Sequence, residues 1–367
     1  MSGNATELER RLIEEIKRDG PLTFRDFMQA ALYDSEFGYY NTHRKKIGAE
    51  GDYYTSSNVH SAFGAVLAKA LLEMWTNESA GNSNDLHIIE FGPGSGQLAH
   101  DIISTLRSEH PTTFDNLTYV LVETSSALRS VQHEKLIDFN EHVRWGSLDD
   151  LTSNPVAGIV LSNEFIDALP VHRARLSNHS IQELYVTTGE DEVHLEPIWS
   201  NPSSRRITEY LERFGIPLQM DQIVEISLDA LDWLEQVSRI LSSGHLVTID
   251  YGDRVQDLYT PDRKSGTLRC FHRHELSSRT FDRVGDQDIT SSVNFTALIE
   301  YGQEHGFKFV SLERQTSFLI RYGLIDRIVA EHESAELVDS LTTRLAVKNL
   351  FVPGGLSDSF RVLIQRR

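Results

Sequence analysis

The sequence predicts an α/β protein built on a doubly wound, seven-stranded sheet. From Leu86 onwards, short apolar runs alternate with stretches of helical periodicity, which is typical of a largely parallel sheet with helices between its strands. The first of these runs leads directly into the glycine-rich segment G-P-G-S-G at 92–96 and then into a helical pattern. The predicted strands are 86–91, 118–123, 143–145, 158–162, 245–250, 308–312 and 360–365.

Three further segments organise the rest of the chain. Residues 1–85 are predicted to form an N-terminal helical cap, in which Leu8, Leu12 and Ile16 share one helix face and Thr23 caps the next helix. The core domain is predicted to cover 86–367, interrupted at about 173–221 by an inserted lobe with short alternating runs. A helical pair is predicted over 325–350, before the last strand.

Composition limits the classes of function. The chain has 367 residues and a formal net charge of −19, so its surface repels phosphate backbones and general nucleic-acid binding is not expected. We expect no membrane insertion, because no apolar run is long enough to cross a bilayer. A single cysteine rules out an internal disulfide and a cysteine metal cluster, and no metal site is predicted. With no secretory or transit signature in the first eleven residues, a cytoplasmic location is expected.

The glycine-rich segment predicts a ligand site. Glycines allow the backbone to turn tightly and to approach a ligand, while the exposed amides of the following helix meet polar ligand atoms. A dinucleotide fingerprint requires glycine or alanine at the sixth position, and this chain has Gln97 there. The form G-x-G-x-G instead favours S-adenosylmethionine over NAD. The alternative interpretation is a strand-to-helix turn without a ligand.

Acidic residues near the strand ends fit the same cofactor. Glu123 closes the second predicted strand, where a carboxylate can accept hydrogen bonds from both ribose hydroxyls. Glu90 lies in a buried strand and needs a partner, which the cofactor amino group would supply; an internal salt bridge is the alternative. Ser147 and Asp149 follow the third strand and could contact adenine, or could simply mark a helix start.

The fourth predicted strand ends in the run S-N-E-F-I-D-A-L-P at 162–170, where an acceptor would meet the methyl group. Methyl transfer requires an acceptor lone pair held in line with the methyl carbon. Carboxylates can orient a guanidinium by bidentate hydrogen bonds and can receive the proton that the product loses. We therefore predict that Asn163, Glu164 and Asp167 form the catalytic set. Helix capping by Asn163 and Asp167 is the alternative.

The chain resembles the MidA family of SAM-dependent methyltransferases, which is related to the mitochondrial complex I assembly factor that methylates a protein arginine. The resemblance covers nearly the whole chain, and its most specific motif is N-E-F-x-D-A-L-P-V at 163–171. The other matching motifs are G-Y-Y at 38–40, G-D-Y-Y-T-S at 51–56, E-F-G-P-G-S-G at 90–96, D-Y-G at 250–252, G-T-L-R at 266–269, D-I-T at 288–290, Q-T-S-F-L at 315–319 and F-R-V-L at 360–363.

The resemblance implies that S-adenosyl-L-methionine is the cofactor, that 55–56 fold over it and that 163–165 line the acceptor pocket. It also implies symmetric dimethylation of an arginine on a respiratory complex I subunit. One departure from the family is the run S-N-V-H at 57–60, where the family commonly has Pro-Glu. The predicted cofactor contacts are Thr55, Ser56, Glu90, Gly92, Pro93, Gly94, Gly96, Glu123, Ser147, Asp149, Ser162 and Asn163.

Two other functions remain open from the sequence. A methyltransferase for a small molecule is possible, since the cap and the lobe could enclose one. An assembly chaperone that binds the cofactor with little turnover would retain the same glycine turn. The oligomeric state does not follow from the sequence.

Overall fold

The computed structural model describes residues 5–42, 61–78, 85–273, 275–334 and 359–367. The chain divides into two compact units. The first contains residues 1–53, 167–233 and 253–298, and the second contains 54–166, 234–252 and 299–367. The sequence-based division placed a cap at 1–85 and a lobe at about 173–221, whereas the first unit combines most of both segments with 253–298.

The second unit is built on the predicted sheet. All seven predicted strands are confirmed, with ends that differ by at most four residues. They are β1 (Leu86–Phe91), β2 (Leu117–Val122), β3 (Val143–Trp145), β4 (Val156–Asn163), β5 (Leu241–Asp253), β6 (Lys308–Arg314) and β7 (Phe360–Arg366). These strands lie in the order β6-β7-β5-β4-β1-β2-β3. Strand β7 is antiparallel to both neighbours, and the pairs β5-β4, β4-β1, β1-β2 and β2-β3 are parallel.

The chain order explains why the sheet is doubly wound. From β1 the chain continues to β2 and β3 on one side, and it then returns to β4 and β5 on the other side. The strand order therefore reverses between β1 and β4. In open α/β sheets, ligands bind beyond the carboxyl ends of the strands at such a switch point.

Helices of the second unit cover the sheet with apolar faces. One core cluster combines Phe63, Leu67 and Ile102 from two helices with Leu121 and Val247 from the strands, each at most 3% exposed. The helices of this unit are α1 (Ser61–Glu78), α2 (Gln97–Glu109), α3 (Ser126–Lys135) and α4 (Leu148–Ser153), with Pro111–Phe114, Gln315–Arg321 and Leu324–Ser334 and the 3₁₀ turn Ile137–Phe139. Of the predicted helical pair at 325–350, only the part up to 334 lies within the described residues.

The first unit has its own core. Its first helix, Glu7–Asp19, begins at Thr6, whose side chain accepts a hydrogen bond from the Glu9 amide, and it buries the predicted apolar stripe. The predicted cap at Thr23 is confirmed, since its side chain accepts a hydrogen bond from the Asp26 amide. The other helices here are Phe24–Tyr33, Tyr39–Asn41 (3₁₀), Arg205–Arg213 and Val255–Leu258, while Leu228–Ile240 and Phe295–Glu304 contain the divisions between units.

Two small sheets complete the first unit. The larger sheet contains the alternating runs that predicted a lobe, and it consists of Leu22–Thr23, Ser180–Thr188, His172–Ser177, Ile223–Ile226 and Leu195–Ser200. The smaller sheet consists of Glu275–Ser277, Arg269–His272 and Asp288–Thr290. Two further residues, Val293–Asn294, are extended. Among the helices that the structure describes, none has both the length and the hydropathy of a membrane-crossing segment.

Candidate functional site

The glycine-rich turn joins β1 to α2 as predicted. Gly92, Gly94 and Gly96 have φ values of 62°, 53° and 77°, in the left-handed region that L-residues with a side chain rarely adopt. A Cβ atom on Gly92 would lie 2.6 Å from Cδ2 of Phe165, so this position also has no room for a side chain. Pro93 is buried within the turn. The turn thus depends on glycine for conformation and for space.

The start of α2 is open to a polar ligand. Gly96 is the N-cap residue, and no side chain of the described residues caps the first amides of the helix. Those amides, together with the positive end of the helix dipole, can therefore face polar ligand atoms. Gln97 begins the helix itself, so the sixth position of the motif is not part of the turn.

Glu90 is buried in β1, immediately before the turn, and is 2% exposed. The hydroxyl of Tyr119 in β2 donates a hydrogen bond to its Oε2 at 2.8 Å. Burial raises the pKa of Glu90 to about 7, and the Tyr119 hydrogen bond opposes part of that rise. The internal salt bridge considered from the sequence is absent among the described residues, where Tyr119 supplies the contact to this carboxylate. A cationic ligand group would favour the charged carboxylate.

Glu123 lies directly after β2 and is 8% exposed. Its Oε1 accepts a hydrogen bond from the Ser125 amide at 2.8 Å, and its Oε2 accepts one from Nε2 of Gln132 at 3.3 Å. Burial raises the pKa of Glu123, while these hydrogen bonds and the nearby Arg129 lower it. The carboxylate is therefore held in one orientation at the end of its strand. Its contact with ribose stays a prediction.

Ser147 and Asp149 lie on an exposed helix start after β3. Ser147 is the N-cap of α4, and its Oγ accepts a hydrogen bond from the Asp150 amide at 3.2 Å. The structure thus shows the helix start that was the alternative interpretation. Capping does not prevent Asp149 from meeting adenine, and that contact remains a prediction.

The end of β4 carries two buried polar atoms that have no hydrogen-bond partner in the described part of the chain. Oγ of Ser162 and Oδ1 of Asn163 are buried and have no hydrogen-bond partner among the described residues. Buried polar atoms normally have a partner, because an unmade hydrogen bond costs about 1–3 kcal/mol. Together with the open turn and the buried Glu90, these atoms fit a polar, cationic ligand such as S-adenosylmethionine.

Glu164 follows β4 in a strained conformation. Its φ is 51°, in the left-handed region, although it is not a glycine. Its backbone amide donates to the carbonyl of Ile249 in β5 at 2.9 Å, and its Oε1 lies 3.4 Å from Nδ2 of Asn163. Residues held in sparsely populated conformations concentrate at functional sites, where surrounding contacts maintain them.

Asp250 maintains this loop from the neighbouring strand. It is fully buried, and its two carboxylate oxygens accept hydrogen bonds from the amides of Ile166 at 3.0 Å and Tyr251 at 2.9 Å. The loop after β4 is therefore tied to the end of β5. This arrangement fixes the backbone that carries Glu164.

Three predicted site residues remain, namely Asp167, Thr55 and Ser56. Asp167 belongs to the first unit, where it is 4% exposed and its carbonyl accepts a hydrogen bond from the Ser291 amide at 2.9 Å. Its catalytic role remains a prediction. Thr55 and Ser56 lie outside the described residues.

The sequence-based prediction missed Tyr119, Gln132 and Asp250. A signal existed for Asp250, which ends an apolar run just as Glu90 and Glu123 do. Tyr119 and Gln132 had no local signal, because their partners are distant in sequence.

Comparison with known proteins points to the same cofactor. Residues 66–312 match the Methyltransf_28 family of S-adenosyl-L-methionine-dependent methyltransferases. The mitochondrial protein arginine methyltransferase NDUFAF7 of Rattus norvegicus is 27% identical over 351 residues, covering 89% of this chain and 76% of that protein. The Bos taurus protein of the same name is 27% identical over 355 residues, covering 89% of this chain and 76% of that protein.

A solved structure extends the similarity to three dimensions. A COG1565 superfamily member from Burkholderia thailandensis, bound to S-adenosyl-homocysteine, superimposes with a TM-score of 0.87 at 26% identity. The alignment covers 98% of this chain and 92% of that one.

The names of the relatives correct one prediction. The proteins from rat, mouse and cattle are named mitochondrial, which contradicts the cytoplasmic location expected from the sequence. That expectation depended on the composition of residues 1–11, which is an indirect signal of location, and on a single cysteine, which does not distinguish the cytosol from the interior of a mitochondrion.

The glycine turn, the strand order and the family match together identify the cofactor as S-adenosyl-L-methionine, and the chain belongs to the Methyltransf_28 family of S-adenosyl-L-methionine-dependent methyltransferases.

Proposed function

We propose that this methyltransferase acts on an arginine side chain of a protein. The observation that carries the proposal is Glu164, whose carboxylate follows β4 on a backbone strained at φ 51°. The curated relatives, which are named protein arginine methyltransferases, support the same acceptor class. The family resemblance of the sequence extends the proposal to symmetric dimethylation and to a respiratory complex I subunit as the target.

The roles follow from the chemistry of the side chains. S-adenosylmethionine supplies an electrophilic methyl group. Glu164 holds the guanidinium by paired hydrogen bonds and orients one nitrogen toward the methyl group. Oδ1 of Asn163, which has no partner among the residues that the structure describes, accepts a further N–H from the acceptor or the cofactor. The proton lost from the methylated nitrogen passes to a carboxylate or to water.

The negative charge of the chain suits a basic substrate. At −19, the protein attracts cationic segments over long range, which raises the rate of encounter with an arginine-containing protein. This effect weakens as salt screens the charges. It supports a cationic acceptor but does not select one protein.

The test is transfer of labelled methyl groups from S-adenosylmethionine into an extract of source cells that lack this gene. We expect one labelled protein band that yields symmetric dimethylarginine after acid hydrolysis. Label only in small molecules would favour a small-molecule methyltransferase. Cofactor binding without any label would favour the chaperone function.

Glu164→Gln tests the acceptor role. The substitution keeps the size of the side chain, so cofactor affinity should stay within about twofold while methyl transfer falls at least about a hundredfold. Glu141→Gln, an exposed site elsewhere in the same unit, is the matched control and should behave like the unaltered protein. Normal turnover by the Glu164 variant would exclude the proposed role.

A further inference from the structure

Gln132 connects three strand ends of the cofactor site. It lies in α3 and is fully buried. Its Nε2 donates to the carbonyl of Gly94 at 2.8 Å and to Oε2 of Glu123 at 3.3 Å. Its Oε1 accepts a hydrogen bond from Nε1 of Trp145 at 2.9 Å. Gly94 follows β1, Glu123 follows β2, and Trp145 is the last residue of β3.

The three partners require an amide at this position. Gly94 offers a carbonyl and Glu123 a carboxylate, which only accept, whereas the indole of Trp145 only donates. An amide supplies two N–H donors and one carbonyl acceptor, which matches this set. A glutamate at position 132 would place acceptor oxygens against the acceptors of Gly94 and Glu123. A lysine there could not accept the hydrogen bond from Trp145. The contacts therefore also determine which way the amide is oriented.

Packing places the side chain against the glycine turn. A Cβ atom on Gly96 would lie 3.3 Å from Cγ of Gln132. The stem of Gln132 thus fills the space beside the turn while its amide holds the turn carbonyl. A residue with these contacts can set the shape of the turn and the orientation of Glu123 together.

We infer that Gln132 is a positioning residue for the nucleoside half of the cofactor, which acts by holding the Glu123 carboxylate in the orientation that accepts the ribose hydroxyls. The inference rests on the cofactor class and not on the arginine acceptor. It can therefore be tested by ligand binding alone, and its failure would leave the proposed acceptor untouched.

Calorimetry with S-adenosyl-homocysteine and its 2′-deoxyribose analogue separates positioning from general packing. The unaltered protein should prefer the ribose form by about tenfold, the effect of one hydrogen bond to a charged group. Gln132→Met keeps the volume but loses all three hydrogen bonds, and its preference should fall below about threefold. Glu134→Gln, an exposed site on the same helix, is the control and should keep the full preference.

Two results would overturn the inference. An unaltered protein without preference for ribose would mean that there is no ribose contact for Gln132 to support. A Gln132→Met variant that weakens both ligands equally, or neither, would assign the residue to packing alone.

Gln132→Glu provides a second variant should the methionine variant fail to fold. A neutral carboxylic acid can donate one hydrogen bond toward Glu123, whereas a carboxylate repels it. At pH 8 the preference of this variant for the ribose form should therefore fall below about threefold. A preference that stays at about tenfold would contradict the positioning role.

Discussion

The buried carboxyl group of Glu90 should make cofactor binding depend on pH. In the free protein its pKa is about 7, since the group is buried without a cation beside it in the described structure. We predict that a bound cofactor brings its amino group, which is cationic at neutral pH, to this carboxylate. The charged form of Glu90 is then favoured, so binding and ionisation are coupled.

The size of the effect follows from that pKa. With a pKa of about 7, about nine-tenths of the free protein has a charged Glu90 at pH 8, but only about one-tenth at pH 6. If the complex keeps the carboxylate charged throughout, the dissociation constant is about tenfold larger at pH 6 than at pH 8. This corresponds to about 1.4 kcal/mol of binding free energy.

Titration calorimetry with S-adenosyl-homocysteine at pH 6, 7 and 8 measures this dependence without turnover. Glu90→Gln should bind more weakly at pH 8 and lose most of the pH dependence, because its amide does not ionise. The Tyr119 hydroxyl can still donate to the amide oxygen, so the variant should fold. Equal affinity at pH 6 and 8 in the unaltered protein would refute the reasoning.

The same group should reduce the stability of the free protein at high pH. The pKa of Glu90 is raised on folding, so the native state binds more protons than the unfolded state between about pH 4.5 and 7, and stability falls as pH rises through that window. The free energy of unfolding falls by at most about 3 kcal/mol over this window, because each pH unit contributes about 1.36 kcal/mol. Urea unfolding of ligand-free Glu90→Gln at pH 8 should therefore show a more stable protein, and a less stable one would contradict this sign.

Two further substitutions test the scaffold of the site. Gly94→Val forces a β-branched side chain into φ 53°, at a cost of about 1–3 kcal/mol. The variant should fold but should no longer bind the cofactor. Unchanged affinity by calorimetry would refute the placement of the turn. Asp250→Ala removes the acceptor of the buried Ile166 and Tyr251 amides and should lower the free energy of unfolding by about 2–5 kcal/mol, measured with urea. Asp138→Ala, at an exposed site, is its control, and an equal effect of the two changes would argue against a loop held by Asp250.

The sequence by itself determined the sheet and the glycine-rich turn at its switch point. Short, nearly continuous apolar runs that are separated by helical stretches are typical of the buried strands of a largely parallel sheet. The segment at 92–96 had to be a tight turn, because glycine alone adopts positive φ at three such closely spaced positions without strain. The position of Glu90 beside this turn then followed from chain continuity.

Tertiary structure decided which residues far apart in the chain contact each other, because no local sequence pattern specifies such contacts. The pairing of Gln132 with Gly94, 38 residues earlier in the chain, depends on how α3 packs beside the turn. The hydrogen bond from the Ile166 amide to Asp250 joins groups 84 residues apart. Sequence periodicity shows which face of an element is buried, but it does not show which residue of another element meets it.

The compact units illustrate the same limit. Segments 1–53, 167–233 and 253–298 form one unit because their apolar faces share a core in which Leu12, Phe27 and Ile289 are almost fully buried. Boundaries taken from the order of patterns along the chain could not group them, since burial joins residues by distance in space. The sequence specified the elements and the candidate side chains of the site, and packing alone decided which elements share a core and which side chains hold the others in place.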